Sequence, residues 1–265
     1  MATLSVSLVQ ANLQWENKEA NLAYFEEKIR SLKGKTQLVI LPEMFSTGFS
    51  MKPEALAEEM SGQAVAWMKR IAAENQLILT GSLIIKEGEQ YFNRLIWMLP
   101  NGQLGTYDKR HLFGYAGEDQ HYAAGSKRLI AAVNGWKINL QVCYDLRFPV
   151  WARQQSQEDG PEYDLLVYVA NWPERRRNAW MALLQARAIE NQCYVIGVNR
   201  VGNDGNEIYH SGDSMLIDPM GEILFTERDK EVIHTAVLDT EKLQQVRNSL
   251  PFLKDADGFL LLNEE

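Results

Sequence analysis

Apolar positions along this chain recur with two different periods. Residues 3–9 alternate and predict a first strand, while Leu22, Phe25, Ile29 and Leu32 recur at helical spacing and predict a helix over 17–32. The run 36–41 is continuously apolar after its first two residues, as a strand buried on both faces should be, and it ends at Pro42-Glu43. Val65, Met68 and Ile71 place a second helix over 61–75. Strand-like runs follow at 77–85, 91–99 and 103–108, with Gly88 and Asn101-Gly102 as hairpin signals. The segments 128–133 and 136–142 read as another hairpin. In its second arm Ile138, Leu140 and Val142 alternate with polar residues up to Cys143, and Phe148-Pro149 precedes a helix-like run.

The second half continues the interleaving. Residues 157–162 form an acidic loop, and 164–170 a buried strand that runs into Asn171-Trp172-Pro173. A long helix is expected over 175–190 and a strand over 193–199. A hairpin lies between Gly212 and Phe225, a last core strand over 232–238 and a last helix over 240–247. The mixed tail from Leu250 is expected to pack on a neighbour or on the domain surface. No repeat, low-complexity tract or linker divides the 265 residues. The expectation is a single domain, residues 1–265, with a core of about 1–240 and a C-terminal extension at 241–265. Because several strands arrive as hairpins, the sheet should be mixed, or be two packed sheets, with helices outside.

Composition narrows the function. A hydrophobic content of 46% marks a globular chain, and a formal charge of −8 gives no footing for nucleic acid or an anionic membrane surface. Arg175-Arg176-Arg177 is the densest basic cluster and reads as a solvated or ion-paired face. Two cysteines are too few for a disulfide framework, the first residues lack the layout of a signal peptide, and no run approaches a membrane span. A cytoplasmic, reduced protein is expected. The four histidines are scattered and form no metal-ligand spacing with the cysteines, and no dinucleotide fingerprint follows any strand, so neither metal nor cofactor is proposed.

Three chemically capable residues each follow a strand-like segment: Glu43, Lys109 and Cys143. A thiol becomes a strong nucleophile when a base removes its proton, and an ammonium can hold the oxyanion formed at an attacked carbon. The plain alternative for Cys143 is a buried small hydrophobe. The strings around these residues are Leu-Pro-Glu-Met-Phe, Tyr-Asp-Lys-Arg-His-Leu-Phe and Val-Cys-Tyr-Asp-Leu-Arg-Phe-Pro. Together and in this order they resemble the nitrilase superfamily of carbon–nitrogen hydrolases, over the stretch from the first strand to about residue 240. Glu-Met-Phe-Ser-Thr-Gly-Phe-Ser-Met and Ala-Asn-Trp-Pro resemble its omega-amidase group most.

The resemblance implies an α/β fold, a four-layer α-β-β-α sandwich, and a catalytic triad. In that pattern Glu43 is the general base, Lys109 the oxyanion-stabilising cation and Cys143 the nucleophile, with the Tyr144 N–H as second oxyanion donor. Glu118 falls where the family carries a second glutamate, with Asp119 and His121 as competitors in the same loop. Lys109→Ala is expected to cripple turnover without unfolding the protein. Arg147 either grips a substrate carboxylate or braces Asp145 or Glu190. Asn171 and Trp172 are read as pocket residues, with core or lid material as the alternative, and Phe45, Phe49 and Tyr115 as pocket walls. Cys193 is read as structural. The implied reaction is deamidation of small ω-amides of 2-oxo dicarboxylic acids, such as 2-oxoglutaramate and 2-oxosuccinamate, through a cysteine thioester. Alternatives are another amidase, a nitrilase or a carbamoylase with the same triad, or a non-catalytic scaffold. The partners implied are a small-molecule amide and at least one further copy of the chain, through helices near 147–155 and 175–190 and the tail.

Overall fold

The computed structural model describes residues 2–157 and 160–262. Two mixed sheets pack face to face, and each carries helices on its outer side. The first sheet contains β1 (Thr3–Gln10), β2 (Leu38–Ile40), β3 (Ile78–Glu87), β4 (Gln90–Met98), β5 (Leu104–Asp108) and, from the far end of the chain, β15 (Val232–Asp239), in the order β15-β1-β2-β3-β4-β5. Its centre is parallel and its flanks antiparallel. Helices α1 (Lys18–Arg30) and α3 (Gln63–Asn75) cover its outer face, and the four-residue α2 (Pro53–Leu56) lies between them in sequence. Phe25, Ile29, Met68 and Ile71 bury the helical stripes against Val39, Leu41 and Leu79. The start of α1 is fixed by Asn17, whose side chain accepts from the Ala20 N–H at 3.1 Å.

The second sheet repeats the plan. Its strands are β6 (Leu129–Val133), β7 (Trp136–Val142), β10 (Leu165–Ala170), β11 (Tyr194–Asn199), β12 (Val201–Asn203), β13 (Tyr209–Ile217) and β14 (Ile223–Arg228). They run in the order β12-β13-β11-β10-β7-β6, with β14 on β13. Strands β7, β10 and β11 are parallel neighbours. A short helix α4 (Glu118–His121) precedes β6, and α5 (Pro149–Ala152), α6 (Arg177–Asn191) and α7 (Thr240–Ser249) complete the helices. Trp180, Leu184 and Ala188 of α6 pack onto this sheet, while Val6, Leu8, Ile138, Leu140 and Val167 meet in the large core that includes the space between the sheets. The result is the four-layer α-β-β-α sandwich.

Two expectations change in detail. Strand β15 is an edge strand, paired only with β1, and most of its residues are half-buried or exposed; it is not a core strand. In the stretch 157–162, Glu158 and Asp159 lie outside the described residues, and the flanking β8 (Ser156–Gln157) and β9 (Gly160–Pro161) pair as a minimal hairpin.

Strand ends organise everything that follows. Glu43 lies three residues beyond β2, Lys109 one beyond β5, Cys143 one beyond β7 and Asn171 one beyond β10. In α/β sheets, ligands bind in the crevice at such ends.

Candidate active site

Each strand end is turned inward by a local device. Cys143 opens a 3-10 turn, Cys143–Arg147, with its own φ at +43°, in the left-handed region that side chains seldom occupy. Asp145 holds this turn. It accepts from the Val142 N–H (3.0 Å), the Tyr107 hydroxyl (2.7 Å) and the His111 N–H (2.9 Å), and meets the His111 Nδ1 at 2.8 Å. One buried carboxylate thus binds the nucleophile's turn to the segment on both sides of Lys109. Gly125 closes on the same segment, donating its N–H to the Lys109 carbonyl at 2.9 Å. A β-carbon at Gly125 would lie 2.1 Å from the Asp108 carbonyl oxygen, so only glycine permits that approach.

At the floor stand Glu43, Lys109 and Glu118, all fully buried. The Lys109 ammonium donates to Glu43 Oε1 at 3.0 Å and to both Glu118 oxygens at 3.0 and 2.8 Å. Asn93 Nδ2 bridges the two carboxylates, at 2.8 Å from Glu43 and 3.2 Å from Glu118. The Phe113 N–H donates to Glu118 at 2.6 Å. Asn171 reaches from the second sheet to the first: its N–H donates to Glu43 Oε2 at 2.8 Å, and its amide to the Glu43 carbonyl at 2.6 Å.

The electrostatics follow from burial and these contacts. Burial works against the Lys109 charge, but Glu118, Glu43 and the Cys143 sulfur outweigh it; the net shift is upward and Lys109 stays an ammonium. Burial raises the Glu118 pKa, with Lys109 opposing and Glu43 adding to the rise. The Cys143 thiol is pushed well up by burial and then by the Glu43 carboxylate it faces, against the pull of Lys109. A resting thiol is therefore protonated and needs a base at hand, and Glu43 is the carboxylate beside it.

Above this floor opens a pocket of about 590 Å³. Its lining includes Lys109, Cys143, Tyr144, Arg147, Asn171, Trp172, Phe49 and Tyr115. Trp172 is a buried wall, and Tyr115, 80% exposed, is a rim. Phe45 does not belong to this set. The chain turns at Met44, φ +44°, and the Phe45 ring is buried on the helix side, edge-to-face with Phe25 at 5.6 Å and near Trp67 at 5.9 Å. Of the three candidates in the 114–125 loop, Glu118 is the one that meets Lys109; Asp119 is exposed and His121 half-buried. Of the two alternatives for Arg147, the brace is not formed among the described residues: Asp145 is occupied as above and Glu190 pairs with Arg187 at 2.9 Å. The Arg147 guanidinium instead lies 5.0 Å over the Trp172 ring.

The arginine cluster also resolves differently from its reading as a surface face. Arg177 is ion-paired with Asp213 at 2.7 Å, but Arg175 and Arg176 line the pocket. Asn93 and Asp145 were unassigned by sequence reasoning. A polar residue inside an apolar strand was the available signal for Asn93, and an acid two positions after the nucleophile was the signal for Asp145. Cys193 is fully buried away from this pocket, and burial pushes its thiol up. Among the described residues no group of three or more His, Cys, Asp and Glu side chains is placed to hold a metal, and no helix is long and apolar enough to cross a membrane.

The family model of the carbon–nitrogen hydrolases matches residues 5–248. The chain is 42% identical to the Omega-amidase YafV of Escherichia coli (strain K12), over 98% of this chain and all of that protein. It is 31% identical to the 2-oxoglutaramate amidase of Bacillus subtilis (strain 168), over 95% of this chain and 96% of the relative. Among solved structures, XC1258 from Xanthomonas campestris, a CN-hydrolase superfamily protein with an arsenic adduct in its active site, superposes with a TM-score of 0.96. It shares 44% identity over 98% of this chain and 100% of that one. With that fold, and with sequence similarity spanning nearly its whole length, this chain belongs to the carbon–nitrogen hydrolase family.

Proposed function

We propose that this hydrolase is an omega-amidase, which releases ammonia from small ω-amides of 2-oxo dicarboxylic acids such as 2-oxoglutaramate and 2-oxosuccinamate. The observation that carries the chemistry is the contact of one ammonium with two buried carboxylates beneath a buried thiol. The relatives named omega-amidase and 2-oxoglutaramate amidase support the substrate class.

The reaction runs in two halves. Glu43 takes the Cys143 proton as the sulfur attacks the amide carbon, forming a C–S bond and placing negative charge on the carbonyl oxygen. Lys109 and the Tyr144 N–H hold that oxyanion. The three donors of the Lys109 ammonium go to two carboxylates, two of the contacts to Glu118, and one of that pair can give way to the substrate oxygen. Tyr144 sits in the first turn after the strand, where N–H groups have no internal acceptor. Glu43 returns the proton to nitrogen, the C–N bond breaks and ammonia leaves, with the acyl group held as a thioester. Water then gives its proton to Glu43 and attacks, and the acid departs as the thiol is restored. Glu118 orients Lys109 and the incoming water. Arg147, presented on the Trp172 face, grips the substrate carboxylate.

The assembly that fits the surface is a homodimer. Val150, Leu260 and Leu262 are exposed apolar side chains beside a groove lined by Phe148, Trp151 and the tail itself. Sedimentation should give twice the chain mass, and removal of residues 259–265 should lower it.

The test of the reaction is ammonia release from 2-oxoglutaramate beside glutamine, a simple nitrile and an N-carbamoyl amino acid, with Cys143→Ala as control. Turnover of the 2-oxo amide that disappears in the variant is expected. Turnover of a different substrate would keep the triad and remove the omega-amidase assignment.

A further inference from the structure

Three guanidiniums line the pocket, those of Arg147, Arg175 and Arg176, and none has a carboxylate partner among the described residues. Elsewhere Arg94, Arg177, Arg187 and Arg247 are each ion-paired. Two of the three are held instead by aromatic faces. Arg147 lies 5.0 Å over Trp172, and Arg176 lies 4.9 Å over Phe113. The two stacks are tied together, because the Trp172 indole N–H donates to the Arg176 carbonyl at 2.9 Å. A guanidinium held by its face keeps the N–H donors on its edge for a ligand.

Two carboxylates also line this pocket, and both are engaged elsewhere. Glu16 accepts from Ser50 at 2.7 Å and Lys52 at 3.0 Å. Asp204 Oδ1 accepts the N–H groups of Asn206 and Ile208 at 2.8 and 3.0 Å. Burial pushes the Arg176 pKa down, the charge of Arg175 pushes the same way, Cys143 opposes, and Arg147 adds to the fall. These cations act on one another and on the reacting sulfur's surroundings, which is the arrangement an anion relieves.

We infer that Arg176, acting with Arg147, is a specificity-determining residue that clamps the substrate carboxylate and rejects amides whose far end carries an ammonium. The inference deepens the omega-amidase reading and rests on it. A 2-oxo acid and an amino acid share the carboxylate and differ at the neighbouring carbon. A ketone oxygen there accepts a guanidinium N–H; an ammonium there meets like charge. Charge therefore separates 2-oxoglutaramate from glutamine, two molecules of nearly equal size.

The test compares wild type, Arg176→Ala and Arg176→Lys on 2-oxoglutaramate, on 4-oxopentanamide, which carries a methyl in place of the carboxylate, and on glutamine. In Arg176→Ala the ratio of kcat/KM for 2-oxoglutaramate to that for 4-oxopentanamide should fall about 10- to 100-fold, mainly through KM, as loss of a hydrogen bond to a charged group implies. Arg176→Lys should recover part of it, and the preference for 2-oxoglutaramate over glutamine should narrow in the alanine variant. An unchanged ratio overturns the inference, and so do equal losses on both amides, which would assign Arg176 to structure. Calorimetric binding of 2-oxoglutarate to Cys143→Ala protein, with and without Arg176→Ala, separates the two readings. If wild type leaves 2-oxoglutaramate intact, the omega-amidase reading fails; weaker binding in the double variant then still upholds the clamp, and equal binding overturns it.

Discussion

The floor and the mouth of this pocket use charge in opposite ways. At the floor every charge is buried and answered: Lys109 by Glu43 and Glu118, and the carboxylates again by Asn93, Asn171 and Phe113. At the mouth three guanidiniums stand without acidic partners among the described residues, two of them on aromatic rings. A saturated network fixes positions to within a fraction of an ångström, as bond-making requires. An unsaturated one is free to accept a ligand. Damage to the floor should therefore appear in kcat, and damage to the mouth in KM.

The largest effect expected is at Lys109. Lys109→Met should lower kcat by at least about 10²–10³-fold, the usual cost of a lost oxyanion donor. It also leaves Glu43 and Glu118 buried together without a cation, so the Glu118 carboxyl, already raised by burial, rises further. A carboxyl raised in the folded state holds a proton that the unfolded state releases, and stability falls as pH climbs through that window. Melting curves of the variant should thus recover towards pH 5, and a variant equally stable at pH 5 and 8 would contradict this account of the floor.

Asp145→Asn comes next. It keeps the size of the side chain but cannot accept all four contacts that join the Cys143 turn to Tyr107 and His111. A fall in kcat of about 10-fold with KM nearly constant is expected from a slight misplacement of the nucleophile. A change in KM alone would move Asp145 out of the floor. At the mouth the pattern reverses: Arg147→Ala should raise KM for 2-oxoglutaramate about 10-fold and leave kcat within a few-fold. Steady-state kinetics on the two variants together test the division directly.

The last prediction concerns stability, at the far wall. His210 lines the pocket and is buried, and burial, reinforced by Arg200, drops its pKa from 6.5 to about 4. In the unfolded chain this ring protonates near 6.5, so between those values the unfolded state binds more protons and stability falls as pH drops. The full effect amounts to roughly 3 kcal/mol. His210→Asn should flatten the fall in Tm between pH 6.5 and 4.

Glu43, Lys109 and Cys143 were legible in sequence because each stands just past a strand, inside a short distinctive string. Of the three candidates its loop offers in sequence, the structure puts Glu118 against Lys109. Phe45 was misplaced because a single left-handed residue, Met44, reverses which side of the sheet the next side chain meets, and no residue type announces that turn. Arg176 reads as surface because it belongs to a basic run at the start of a helix, and only its neighbour Arg177 behaves that way, pairing with Asp213. Partnership between distant side chains decides such cases, and local spacing carries no trace of it. Asn93 and Asp145 were missed for a related reason: their roles consist wholly of bonds to segments far along the chain.

Glu43 and Asn171 are 128 positions apart and bond across the seam between the two sheets. Neither half of the molecule is chemically armed by itself, since one carries the base and the other the sulfur. The contact that couples them is among those that only complete docking of the halves can make. Because the base reaches the thiol only across that seam, catalytic competence reports the complete docking of the two sheets.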